Sequence, residues 1–94
     1  MPRRRHLIAY DIANPRRLRR VCTIMEGYGQ RLQYSVFLCD LTNGELARWE
    51  MDILPEMKLT EDSIIIIDLG EPGSKTIRTL GVSRSMPSTG AVIV

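Results

Sequence analysis

Four consecutive isoleucines, Ile64 to Ile67, lie inside the run Ser63 to Leu69 and restrict the fold more than any other stretch. β-Branched side chains favour extended backbone, and the run is too short to cross a bilayer. A strand that is apolar on both faces suits the middle of a sheet, covered by helices or by a second protomer. Ninety-four residues make one compact core. The 44% hydrophobic and 26% charged content is that of an ordinary globular chain, not of a disordered, collagenous or disulfide-built one. No charged-then-apolar leader opens the sequence, so neither secretion nor membrane insertion is expected, and a cytoplasmic protein is.

Upstream of that strand the pattern alternates between short extended and helical stretches. His6 to Ile12 is an apolar run closed by Asn14-Pro15, which reads as a first strand ending in a turn. Asn14 suits a helix N-cap and Pro15 the first helical position. Leu18, Val21, Cys22, Met25 and Tyr28 then form one buried stripe, with Arg16, Arg17, Arg19 and Arg20 mostly on the other side. Gly27 and Gly29 are expected to end this helix in left-handed conformation. Gln30 to Leu41 reads as one bent strand or two short ones, Leu32, Tyr34, Val36 and Leu38 alternating with Arg31, Gln33, Ser35 and Phe37. Thr42-Asn43-Gly44-Glu45 has capping-box spacing. It opens a second helix whose stripe is Leu46, Trp49, Ile53 and Leu54 and which Pro55 should stop. After the isoleucine strand, residues 70–74 read as a hairpin turn, Thr76 to Val82 as a strand and Ser83 to Gly90 as a polar loop. The apolar end, Ala91 to Val94, should pair with a sheet edge of its own or a partner protomer, since four such residues would otherwise fray.

This order predicts an α+β, ferredoxin-like sandwich over residues 1–82, an antiparallel sheet with both helices on one face, followed by a C-terminal segment, 83–94. Two helices cannot cover both faces of a sheet. A homodimer packed sheet to sheet is therefore expected.

Charge is unevenly distributed. Residues 1–31 hold eight arginines against Asp11 and Glu26, a net of +6, whereas the remainder is net −4. Arginine's planar fork suits phosphate oxygens, so the basic part points to an anionic partner, against the plainer role of a solvated, solubilising face. Other chemistries lack their residues. Cys22, Cys39 and the lone His6 do not supply a zinc site or a serine triad, and the cysteines read as core thiols. Asp11 remains, a carboxylate ending an apolar strand. Such a group needs a partner. One alternative is a salt bridge to an arginine of the following helix. The other is a magnesium ligand, with Asp11 of two protomers meeting near a two-fold axis and activating water for phosphodiester cleavage.

Tyr10-Asp11-Ile12, the arginine-rich first helix and Gln30-Arg31-Leu32-Gln33-Tyr34-Ser35-Val36-Phe37 together resemble the small CRISPR-associated nuclease family, the lesser of the two universal spacer-acquisition proteins. The resemblance implies a ferredoxin-like homodimer whose terminal strand is exchanged or paired between protomers. It also implies metal-dependent endonuclease activity, with Mg2+ or Mn2+, on RNA or double-stranded DNA. A scaffolding role beside the larger CRISPR integrase follows from the same likeness. By position, Asp11 is the metal ligand and catalytic group with Tyr10 beside it. Arg16, Arg17, Arg20, Arg31, Ser35 and Phe37 are the nucleic-acid-binding candidates. The family often places a glutamate after that phenylalanine, where this chain has Leu38, which puts catalysis in question. The alternatives are a non-catalytic dimeric adaptor that holds duplex DNA and bridges the integrase, and a ribonuclease toxin of similar fold.

Overall fold

A computed structural model describes residues 2–82 and 91–93. Strand β1 (Arg4–Asp11) leads into α1 (Pro15–Glu26), the strands β2 (Gln30–Gln33) and β3 (Val36–Leu41), and α2 (Asn43–Ile53). A 3-10 turn (Leu54–Glu56) precedes β4 (Ser63–Gly70), and two short strands follow, β5 (Ile77–Thr79) and β6 (Ala91–Ile93). The main sheet is antiparallel in the order β2-β3-β1-β4, with β1 and β3 central. Alternate residues of its central strands, Ile8 and Tyr10 with Phe37, Cys39 and Leu41, form one buried cluster with Val21 and Met25 of α1 and Trp49 and Ile53 of α2. Both helices therefore lie on one face, the ferredoxin-like sandwich that the sequence predicts. The indole N–H of Trp49 donates to the Met25 sulfur at 3.1 Å, tying the helices together in the core.

Both helix starts follow their sequence signals. The Asn14 side chain accepts from the N–H groups of Arg16 and Arg17, with Pro15 at the first helical position, and Thr42 and Glu45 close a complete capping box. Helix α2 stops at Ile53 as Pro55 enters the 3-10 turn.

Several expectations are revised. Gly27 caps α1 in right-handed conformation, φ −78°, so no left-handed glycine ends the helix. Gly29 is needed for closeness instead: a Cβ there would lie 2.4 Å from both Cys39 Sγ and the Leu38 carbonyl oxygen. Gln30 to Leu41 is two strands joined through Tyr34-Ser35, and the register shifts between Arg31 and Gln33. The simple alternation is broken there, leaving Phe37, Cys39 and Leu41 facing the helices and Leu38 buried on the other face beside Leu7. The isoleucine strand β4 is at the sheet edge, not in its middle, and pairs only with β1 among the described residues. Residues 71–75 do turn, but not as a hairpin, because β5 pairs in parallel with β6 rather than with β4. The polar loop 83–90 lies outside the described residues, as do the side chains of 91–94.

Among the described residues the second face of the main sheet is covered at Leu38, which is buried, and exposed along β4. Leu7 and Ala9 of β1 face the same way as their β4 neighbours Ile67 and Ile65, which are 46% and 59% exposed. A groove of about 480 Å³ runs between Leu7, Leu32 and Val36 of this face and Ile77, Thr79 and Leu80 of the following segment.

Candidate functional site

The carboxyl end of β1 gathers the motif residues. Strand pairing sets Ala9 opposite Val36 and Asp11 opposite Ser63. The Tyr10 N–H donates to the Ser35 carbonyl at 3.0 Å, which places the β2–β3 turn beside Asp11. Asp11 is exposed, and its carboxylate has no hydrogen bond or ion pair among the described residues. A salt bridge to the arginines of α1 is thereby ruled out within the protomer.

Those arginines are engaged elsewhere. Arg17 Nε lies 2.8 Å from Asp62 Oδ2 and its Nη2 2.9 Å from Glu61. Arg20 Nε lies 3.1 Å from Glu56. At the opposite end of β1, Arg3 pairs with Glu45, Arg4 with Asp68 and Arg5 with Asp40, at 3.1, 2.9 and 2.8 Å. The basic excess counted along the sequence is thus largely neutralised in three dimensions. Arg16, Arg19 and Arg31 have no carboxylate partner among the described residues, and the first two are exposed on α1.

Arg31 is half-buried between rings, its guanidinium carbon 5.4 Å from the Phe37 centroid and 5.8 Å from that of Tyr34. Its Nη2 donates to Cys22 Sγ, while its buried Nε has no partner among the described residues. Tyr10 stacks on Phe37 with centroids 6.2 Å apart. The Tyr10 hydroxyl is buried without a hydrogen bond among the described residues. Burial, reinforced by Cys22 and opposed by Arg31, pushes this phenol up to about 12. The phenol therefore keeps its proton at neutral pH, and its ring packs on Phe37 in the core. Phe37 has no exposed surface. A direct nucleic-acid contact for it is therefore corrected to a core role under Arg31.

One residue of this region escaped sequence reading: Asp62, whose side chain is wholly buried against the Asp11 loop. The signal was available, because Asp62 is an acid abutting the isoleucine run just as Asp11 abuts its own apolar strand. Among the described residues there is no cluster of three or more His, Cys, Asp or Glu able to hold a metal, and no helix long and apolar enough to cross a membrane.

A model of the family described as CRISPR associated protein Cas2 matches residues 4–77. The chain belongs to this family. It is 38% identical over 82 residues to the CRISPR-associated endoribonuclease Cas2 2 of Thermodesulfovibrio yellowstonii, covering 87% of this chain and 88% of that one. It is 40% identical over 65 residues to the CRISPR-associated endoribonuclease Cas2 of Geobacter sulfurreducens, covering 69% and 68%. Among solved structures, Streptococcus pyogenes Cas2 superposes with a TM-score of 0.74 at 33% identity, over 82% of this chain and 99% of that one. A hypothetical protein from Thermus thermophilus gives 0.79 at 27% identity, over 87% and 95%. The fold of this Cas2 family member is that of its relatives, and the resemblance read from its motifs holds.

Proposed function

We propose that this chain is a metal-dependent endonuclease of CRISPR spacer acquisition, cleaving phosphodiesters of RNA or DNA at the interface of a cytoplasmic homodimer. The observation that carries the proposal is the carboxylate of Asp11, unpaired among the described residues although four arginines follow within nine residues. The names of the relatives, endoribonucleases, favour RNA.

The residues fit a hard divalent ion. Mg2+ is commonly held by one or two carboxylates with waters and substrate phosphate completing its shell. One protomer offers one carboxylate, so Asp11 of two protomers would hold the Mg2+ or Mn2+. When bound, the ion supplies an activated water and neutralises charge on the phosphodiester. The protein's own part is to orient and bind. Strand pairing to Ser63 fixes Asp11 at the rim of the sheet. Tyr10, its neighbour in β1, anchors the strand end by stacking on Phe37 in the core. Arg16 and Arg19, free of acids among the described residues, receive backbone phosphates, and Arg31, likewise without a carboxylate partner there, offers its guanidinium beside the Ser35 turn. The exposed β4 side of this sheet face, with Ile65 and Ile67 beside the half-buried Leu7 and Ala9, is the surface on which a second copy would pack.

Titration of Mg2+ and Mn2+ in a nuclease assay on single-stranded RNA and duplex DNA tests this reading. Asp11→Asn should abolish cleavage and leave melting temperature and oligomeric state unchanged. Cleavage by the purified variant would overturn the proposal.

A second reading is the non-catalytic adaptor that holds duplex DNA beside the larger integrase. Two observations favour it: the single carboxylate per protomer, and a buried Leu38 where the family often has glutamate. It requires that duplex affinity and co-purification with the integrase survive Asp11→Asn, with no metal-stimulated cleavage in the native chain.

A further inference from the structure

Asp62 is a buried charge with every oxygen committed. Oδ1 accepts from the Ala13 N–H at 2.9 Å and from Arg17 Nη2 at 3.1 Å. Oδ2 accepts from Arg17 Nε and from the Lys58 N–H, each at 2.8 Å. Hydrogen bonds from Arg17, opposed by burial and helped by the two backbone donors, hold this carboxyl well below the usual carboxylate range. It is therefore ionised throughout the neutral range.

The donors come from three places: the loop directly after Asp11, the first turn of α1, and the turn that leads into β4. Ser63, the next residue along the chain from Asp62, is the β4 partner of Asp11. A ring is thus closed around Asp11, with strand pairing to Ser63 on one side and the Ala13 N–H held by Asp62 on the other. Arg17 completes the ring, having only 18% of its side chain exposed.

We propose that Arg17 and Asp62 form a clasp that sets the position of the Asp11 carboxylate, making Arg17 a positioning residue rather than a phosphate contact. The proposal rests on the reading of Asp11 as the working carboxylate. Its logic is geometric. Without the clasp the Ala13 N–H loses its acceptor and the loop carrying Asp11 is pinned from one side only. A misplacement of about 1 Å at a reacting group costs on the order of 100-fold in rate. Arg16, one residue away with no acid partner among the described residues, provides the contrast.

Arg17→Gln, Asp62→Asn and Arg16→Ala, each made in the full chain, separate the two roles. Amide exchange at Ala13 and nucleic-acid affinity across a salt series in EDTA are read first, and then kcat and KM with Mn2+. Arg17→Gln and Asp62→Asn should speed exchange at Ala13 and lower kcat by about 10–100-fold, a loss of the size seen when outer-shell partners are removed. KM and the salt slope should stay put, and the double variant should be no worse than either single one. Arg16→Ala should reduce the salt slope by about 0.9 on duplex DNA, or about 0.7 on single-stranded RNA, the value of one lost phosphate contact. If Asp62→Asn does not fold, Arg17→Lys, which keeps the charge and loses the fork, gives the same readouts. A drop of about 0.9 in the slope on duplex DNA for Arg17→Gln, with Ala13 exchange unaltered, overturns the clasp. Cleavage that survives Asp11→Asn instead sinks the catalytic reading, and Ala13 exchange still reports on the clasp.

Discussion

At Gly29 the absence of a side chain lets the α1–β2 connection lie directly on β3. Gly29→Ala would press a methyl group into Cys39 Sγ and the Leu38 carbonyl, and we expect it to cost about 1–3 kcal/mol in urea unfolding, the usual range for overpacking. Cys39 has a second consequence. Burial, with a smaller contribution from Asp40, pushes its thiol up to about 12. The unfolded chain ionises this thiol near pH 9 and the folded one does not, so stability is full below about 9 and declines as pH rises towards 12. Melting temperature measured across that interval should fall less steeply in Cys39→Ala than in the native chain. Single residues with local causes were legible in the sequence, as with Asn14, Thr42 and Trp49. For Asp62 the cue of an acid abutting an apolar strand was present, but its partner was not legible, because Arg17 lies 45 positions away. Spacing cannot say which acid an arginine will choose.

Secondary-structure elements were read best where their ends carry chemistry. The two N–H groups accepted by Asn14 have no other acceptor at the start of α1, so Asn14→Ala is expected to destabilise by about 1 kcal/mol in a denaturant titration. The same helix's far end was misjudged, since two nearby glycines suggest a left-handed cap and only the contact with β3 reveals the other use of Gly29. Strand β4 teaches a similar lesson. Two apolar faces argue for cover, and the sequence conveyed that much. They do not distinguish a middle strand from an edge one, because the pattern records side chains while position in a sheet is decided by main-chain pairing. The break between β2 and β3 was left open for a related reason: Tyr34-Ser35 lacks the glycine or asparagine that marks a tight hairpin.

Across the whole molecule, charge is sorted rather than spread. Exposed Arg16 and Arg19, with no acid partner among the described residues, face solvent on α1, while Arg20 is shared with Glu56. Duplex-DNA affinity measured across salt should therefore lose about 0.9 from its log–log slope for Arg16→Ala or Arg19→Ala, and less for Arg20→Ala. The paired acids carry their own signature. Arginine partners hold the carboxyls of Glu45, Glu61 and Asp68, as well as Asp62, below their ordinary values. Their contribution is present above the unfolded carboxylate pKa of about 4 and disappears as pH drops through the folded values. Melting temperature should stay flat from pH 7 to about 5 and decline below about 4, with a shallower acid limb in Asp62→Asn. Composition alone made the arginine-rich first third look uniformly cationic. Arg3, Arg4 and Arg5, however, each neutralise an acid on a different element, Glu45 of α2, Asp68 of β4 and Asp40 of β3. Trimming the first five residues would consequently do more than subtract positive charge. It would unmask three carboxylates at one end of the domain, turning a quiet pole into one that repels any polyanion reaching past the far end.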